Sequence, residues 1–169
     1  MNRLRHIQSK IITLDEAARK AEMARLKNKK VVFTNGCFDL LHLGHVTYLA
    51  QAASLGDLLI VAINDDASVR GLNKGADRPI NPERARAMVL AALGVVDYIV
   101  VFSEPTPLNA IEAIKPTSIV KGGDYSAEEN NPDNKQYIVG KKEAAAWGGT
   151  VQTIPLVDGY STTSLLAKR

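Results

Sequence analysis

One cysteine, Cys37, and only 5% aromatic residues occur among the 169 residues of the chain. A single thiol excludes an internal disulfide framework and suits a reducing compartment. Long apolar runs are missing too: the longest aliphatic stretch, Leu58 to Ile63, is far shorter than the roughly 18 residues that cross a bilayer. Arg3, Arg5, Lys10, Asp15 and Glu16 interrupt the first twenty residues, so no secretory signal is readable there. The expectation is a cytoplasmic protein without a membrane partner. Repeats and low-complexity tracts are also absent, which excludes solenoid and fibrous architectures.

What is present fits one buried core. The chain is 46% hydrophobic and 23% charged, and its mean hydropathy of −0.08 is that of an ordinary globular domain. The pI of about 9.0 invites a nucleic-acid reading. Residues 1–30, however, hold nine Lys and Arg against three Asp and Glu, whereas residues 31–169 hold twelve against fifteen. The basic excess is local, and no nucleic-acid partner is expected.

From Val31 onward, short β-branched runs at 31–33, 58–63, 98–102, 118–120 and 151–154 alternate with stretches of helical spacing at 46–55, 82–93, 107–114 and 135–147. That alternation predicts βαβ units and a parallel sheet. Gly56, Gly94 and the pair Gly148-Gly149 fall just past three of the helical stretches, where a left-handed residue often closes a helix. Asn81 reads as an N-cap, with Pro82 in the first turn. The segment 1–29 reads as an amphipathic helix and linker packed on a domain of residues 30–169. Ile12, Leu14, Ala17, Ala21, Ala24 and Leu26 form its apolar stripe, and Thr13 with Glu16 has capping-box spacing. Its lysines are expected to form a solvated face.

Chemistry concentrates in Thr34-Asn-Gly-Cys-Phe-Asp-Leu-Leu-His-Leu-Gly-His45, which follows the first strand and opens a helix. Ligands of open parallel sheets bind beyond the carboxyl ends of the strands, where the strand order reverses. Gly36 and Gly44 permit close backbone approach. His42 and His45 have the spacing of one face of a helical turn, beside N–H groups and a dipole that favour anions. A polyphosphate is the ligand this pattern fits. A zinc site would need more ligands than His6 and Cys37 supply.

These residues resemble the cytidylyltransferase-like branch of the HxGH nucleotidyltransferases. Beyond His42-Leu-Gly-His45, the likeness includes Gly36-Cys-Phe-Asp39, Lys121-Gly-Gly-Asp124 and Gly159-Tyr-Ser-Thr-Thr-Ser164, and it spans residues 31–165. The phrases Val32 to His45, Arg78-Pro-Ile-Asn-Pro82, Val120 to Tyr125 and Asp158 to Thr163 are most similar to adenylyltransferases acting on D-glycero-β-D-manno-heptose 1-phosphate. The resemblance implies a Rossmann-like α/β fold, an open five-stranded parallel sheet in the order 3-2-1-4-5 with helices on both faces, plus the N-terminal helix. It implies transfer of AMP from ATP, with Mg²⁺, to heptose 1-phosphate for lipopolysaccharide core synthesis. A homodimer and a separate heptose kinase are also implied, since the length suits the transferase alone. Glycerol-phosphate cytidylyltransferases carry an arginine where this chain has Leu156, which separates the two groups. The alternatives are a CTP-dependent enzyme for a polyol or amino-alcohol phosphate and a non-catalytic nucleotide sensor.

By the same resemblance, His42, His45 and Lys74 are catalytic. The nucleotide site adds Thr34, Gly36, Cys37, Phe38, Lys121, Gly123, Tyr160, Ser161, Thr162 and Thr163. Asn35, Asp39, Asp66, Arg78, Lys121 and Asp124 face the acceptor. No dedicated metal cage is expected, although Asp39 is placed to orient a metal-bound water. Cys37 is read as a small packing residue rather than a reactive thiol, and 126–134 as an exposed loop able to close over substrate.

Overall fold

The computed structural model describes residues 2–71, 78–162 and 165. Five strands form one parallel sheet: β1 (Val31–Gly36), β2 (Leu58–Asn64), β3 (Tyr98–Phe102), β4 (Ser118–Gly122) and β5 (Thr150–Ile154). Their order is β3-β2-β1-β4-β5, the α/β Rossmann-like arrangement expected from the sequence. Alternation along the strands sends side chains to two cores. Val31, Phe33, Ile60, Val100 and Ile119 pack beneath α2 (Leu14–Leu26), α6 (Leu108–Ile114) and α7 (Lys141–Ala146). Val32, Val61, Ile63, Ile99 and Val120 pack beneath α3 (Leu43–Ala53) and α5 (Glu83–Ala91). Both faces are covered, as a parallel sheet requires.

The N-terminal segment forms two helices rather than one. α1 (Arg3–Gln8) precedes α2, and between them Ile11 bridges Ile99 at the sheet edge. The Thr13–Glu16 capping box is made in full, and Ala17, Ala21 and Ala24 are the buried stripe of α2. Leu26 instead stays exposed at 77%, because two residues after Ala24 it points to the side of the helix away from the buried stripe. A further short helix, α4 (Asp66–Gly71), follows β2 and had no counterpart in the periodicity.

Glycine placement differs from the simple helix-end reading. Gly148 has positive φ, but Gly56 and Gly94 do not. A Cβ on Gly56 would come within 2.7 Å of Val32 Cγ2 and 2.8 Å of the Lys30 carbonyl oxygen, so close packing against β1 requires glycine there. The last helix is shorter than predicted because Gly140 turns left-handed at φ 87° and lies against Ile111 and Ile119. Pro82, not Asn81, occupies the N-cap of α5. No helix among the described residues is long and apolar enough to cross a membrane.

Candidate active site

The site lies where β1 parts from β4. β1 pairs with β2 as far as Gly36 and Ile63, whereas its pairing with β4 is confined to Val32–Ser118 and Phe33–Ile119. Beyond those pairs the two strands need other partners for their polar groups. Tyr48, buried on α3, fills part of the gap: its hydroxyl donates to the Val120 carbonyl at 2.9 Å and accepts from Thr34 Oγ1 at 2.7 Å. Burial pushes the Tyr48 phenol well above its ordinary pKa, which keeps it a donor. Lys121 spans the same gap. Its Nζ donates to Asn35 Oδ1 at 2.9 Å and lies 4.6 Å from the centre of the Tyr125 ring. Thr34 is fully buried and commits its hydroxyl to Tyr48.

The two histidines stand at the mouth of this crevice. His42 is not on the helical turn; it is the extended N-cap of α3, with φ −144° and ψ 172°. Its Nδ1 accepts from the His45 backbone N–H at 3.3 Å. The neutral ring therefore carries its proton on Nε2, as a donor directed away from the helix end. His45 Nδ1 lies 3.1 Å from the Leu40 carbonyl oxygen, which can only accept, so His45 keeps Nδ1–H and leaves Nε2 with a lone pair. The rings stack with centroids 3.8 Å apart and 20° between planes. Burial and the neighbouring His42 charge push His45 down to about 4, against the opposing Leu40 hydrogen bond. Burial also lowers His42. An incoming phosphate would reverse both effects by supplying counter-charge.

Gly44 makes the stack possible. A Cβ there would lie 3.1 Å from the His42 ring and 3.4 Å from Tyr160 Cβ, so the C-terminal segment reaches the histidine motif. Ser161 is exposed, and its carbonyl accepts from Leu165 N–H at 3.1 Å, a helical bond. Thr162 is already helical and half-buried. Thr163 and Lys74 lie outside the described residues. Gly36 is constrained by Phe38, whose ring would lie 3.0 Å from an added Cβ. Phe38 itself is left-handed, with φ 47°, a conformation costing an L side chain about 1–2 kcal/mol. Its ring meets His45 edge-on at 5.1 Å.

Asp39 and Asp66, two of the carboxylates expected at the acceptor side, are engaged within the protein. Asp39, 3% exposed, accepts from Ile80 N–H at 2.9 Å and Asn81 N–H at 2.9 Å and is ion-paired with Arg78. Asn81 Nδ2 returns a bond to the Asp39 carbonyl at 2.8 Å, so the 37–41 and 78–82 segments are tied together. Asp66 accepts from Glu83 N–H while Glu83 accepts from Asp66 N–H, both at 2.8 Å. Arg86 on α5 completes the frame. Its guanidinium donates to Asn81 O at 3.0 Å, Cys37 O at 2.7 Å, Asn64 O at 2.8 Å and Asp66 Oδ1 at 2.8 Å. Cys37 Sγ lies 3.8 Å from Asn64 Oδ1. Gly123 and Asp124 follow β4 and are exposed. Among the described residues no three His, Cys, Asp or Glu side chains converge on a metal position.

The cytidylyltransferase-like family profile matches residues 33–168, a span that holds the histidine motif, Tyr48, Arg86 and Lys121. The chain belongs to the cytidylyltransferase-like family. It is accordingly a nucleotidyltransferase. It is 49% identical over 160 residues to the bifunctional protein HldE of Geotalea uraniireducens, covering 95% of this chain and 31% of that protein. To HldE of Pseudomonas fluorescens it is 49% identical over 158 residues, covering 94% and 31%. The chain thus spans about 31% of the length of these curated relatives. A solved lipopolysaccharide core biosynthesis protein from Thermoplasma volcanium aligns with TM-score 0.58 and 27% identity, over 79% of this chain and 99% of that one.

Two residues of this cytidylyltransferase-like site escaped the sequence reading. Tyr48 lies within the helical stretch 46–55, and nothing local shows that its hydroxyl reaches across to β4. Arg86 carried a usable signal. It stands with Ala87, Leu90 and Ala91 on the buried stripe of α5, and a charge on a buried stripe needs several partners.

Proposed function

We propose that the chain transfers AMP from ATP to D-glycero-β-D-manno-heptose 1-phosphate, giving ADP-heptose and pyrophosphate for lipopolysaccharide core synthesis. The observation that carries this reading is the stacked His42–His45 pair at the start of α3, opening on the crevice that Lys121 lines. The identity to HldE supports the choice of acceptor.

A phosphate oxygen of the sugar attacks the α-phosphorus of ATP; the new P–O bond forms as the bond to the β-phosphate bridge breaks, and pyrophosphate leaves. Both reactants are already ionised, so the protein needs no nucleophile and no strong base. Its task is alignment and neutralisation of anion repulsion. His42 offers Nε2–H to the triphosphate even as a neutral ring. His45 takes up a proton on Nε2 as the phosphates arrive, and then donates as well. Lys121, with Asn35 beside it, adds fixed positive charge, and Tyr160, Ser161 and Thr162 close the nucleotide side. We assign Lys74, Arg78, Thr163 and Asp124 to the same two anionic substrates on the strength of their motifs. Mg²⁺ fits as a companion of the nucleotide, because it prefers phosphate oxygens and retained waters to a protein cage; when bound it neutralises charge on the triphosphate and the departing pyrophosphate. A heptose kinase outside these 169 residues supplies the acceptor, in the cytoplasm where ATP is available, and the transferase acts as a homodimer.

The test is pyrophosphate release from a panel of four nucleoside triphosphates crossed with heptose 1-phosphate, glycerol 3-phosphate and phosphocholine. Release is expected only with ATP, Mg²⁺ and heptose 1-phosphate together. His42→Ala and His45→Ala should each cost about 10²–10³-fold in kcat, with circular dichroism unchanged. Preference for CTP with a polyol phosphate would overturn the substrate assignment, and ATP binding without turnover on any acceptor would overturn the enzymatic reading.

A further inference from the structure

We infer that Arg86 is a positioning residue for nucleotidyl transfer, holding the 37–39 loop so that Phe38 props the His42–His45 stack; the inference rests on the adenylyl-transfer reading above. Arg86 is 2% exposed and touches no open part of the crevice. Its four bonds converge from three chain segments on one side chain: the loop after β1 at Cys37, the end of β2 with the start of α4 at Asn64 and Asp66, and the approach to α5 at Asn81. Three acceptors are backbone carbonyls, so the bonds set the position of the chain itself.

The path to the histidines is short. Cys37 O, held by Nη1, belongs to the peptide that enters Phe38. Phe38 is left-handed and packs edge-on against His45, and His45 stacks on His42. Asn81 is gripped from both sides, its N–H by Asp39 and its carbonyl by Arg86. Release of the guanidinium therefore frees the Cys37 end of the loop and loosens Asn81, a partner of Asp39 at the other end. Lysine cannot substitute, because its single ammonium lacks the planar fork that reaches four acceptors in different directions. Asp66 is the counter-charge that makes the burial tolerable.

The experiment compares Arg86→Lys, Arg86→Ala and the exposed neighbour Arg84→Ala in the full chain. Fold is followed by circular dichroism, and kcat and KM for ATP by pyrophosphate release. Arg86→Lys is expected to remain folded, with kcat reduced about 10- to 100-fold, the scale of an ångström-level misplacement, and KM changed less than about threefold. Low-millimolar guanidinium should restore part of kcat in Arg86→Ala, and Arg84→Ala should match wild type. A folded Arg86→Lys with wild-type kcat overturns the inference, as does a loss confined to KM or a folded Arg86→Ala that guanidinium fails to rescue. Where Arg86→Ala does not fold, Arg86→Lys decides alone. Should the wild type release no pyrophosphate from any acceptor, the adenylyl-transfer reading fails, and the His45 ring resonances of Arg86→Lys decide the positioning role: a shift upholds it, and wild-type resonances overturn it.

Discussion

Replacing Tyr48 with phenylalanine removes one oxygen from the place where β1 and β4 separate, and the structure sets the cost. The hydroxyl donates to Val120 O and accepts from Thr34 Oγ1, and Thr34 is fully buried. Two bonds are lost, and the Thr34 hydroxyl is left without its acceptor away from water. A net hydrogen bond contributes about 1 kcal/mol, and an unsatisfied buried group costs about 1–3 kcal/mol. Tyr48→Phe should therefore destabilise by about 2–3 kcal/mol, or roughly 4–12 °C in Tm for a chain of this size. Thr34→Val alone removes only the shorter bond and should cost about 1 kcal/mol. The double variant should cost less than the sum by about 1 kcal/mol, because the stranded hydroxyl is gone. Urea unfolding of the four proteins, with unchanged m-values, measures the cycle. A Tyr48→Phe cost below about 0.5 kcal/mol, or strict additivity, would refute the bridging role.

Asp39→Asn breaks the buried pair with Arg78 and should cost about 3–5 kcal/mol; wild-type stability in urea would show that the 78–82 segment is held by other means. Gly56→Ala drives a methyl into Val32 and the Lys30 carbonyl and should cost about 1–3 kcal/mol. Gly94→Ala meets nothing within 4 Å and should be neutral or stabilising by up to about 1 kcal/mol; equal effects in thermal melts would contradict the packing. His45 should titrate near pH 4 rather than 6.5 in histidine-resolved NMR. Because this folded pKa is lowered, the unfolded chain binds more protons between pH 4 and 6.5. Stability from this group is full above pH 6.5 and is lost as the pH falls toward 4, by about 1–2 kcal/mol after allowance for partial exposure. A pH-independent urea midpoint over that window would exclude it.

The strand-and-helix alternation was legible because burial on two faces forces continuous β-branched runs at 58–63 and 98–102, and the strand order followed from the resemblance of the motifs. The Thr13–Glu16 cap was legible because it is local. Less was legible where partners are distant in sequence. The start of α3 was placed at residue 46 by periodicity but lies at Leu43, since His42 caps the helix with a ring nitrogen instead of a short side chain. Asp39 reads from the motif as a carboxylate facing substrate, yet it is the acceptor for Ile80 and Asn81 some forty residues away.

By itself the sequence determined the cytidylyltransferase-like character of the chain, the parallel sheet, the placing of the histidine motif at the first strand–helix junction, and the confinement of basic charge to the first thirty residues. Those properties depend on residue type and near spacing. Only the tertiary structure decided which proton each histidine carries, which carboxylates are already engaged, and that Tyr48 and Arg86 hold the crevice in shape. A hydrogen bond is specific to a few tenths of an ångström, and the acceptors Val120, Cys37, Asn64 and Asn81 come within reach only after the sheet and both helical layers have closed.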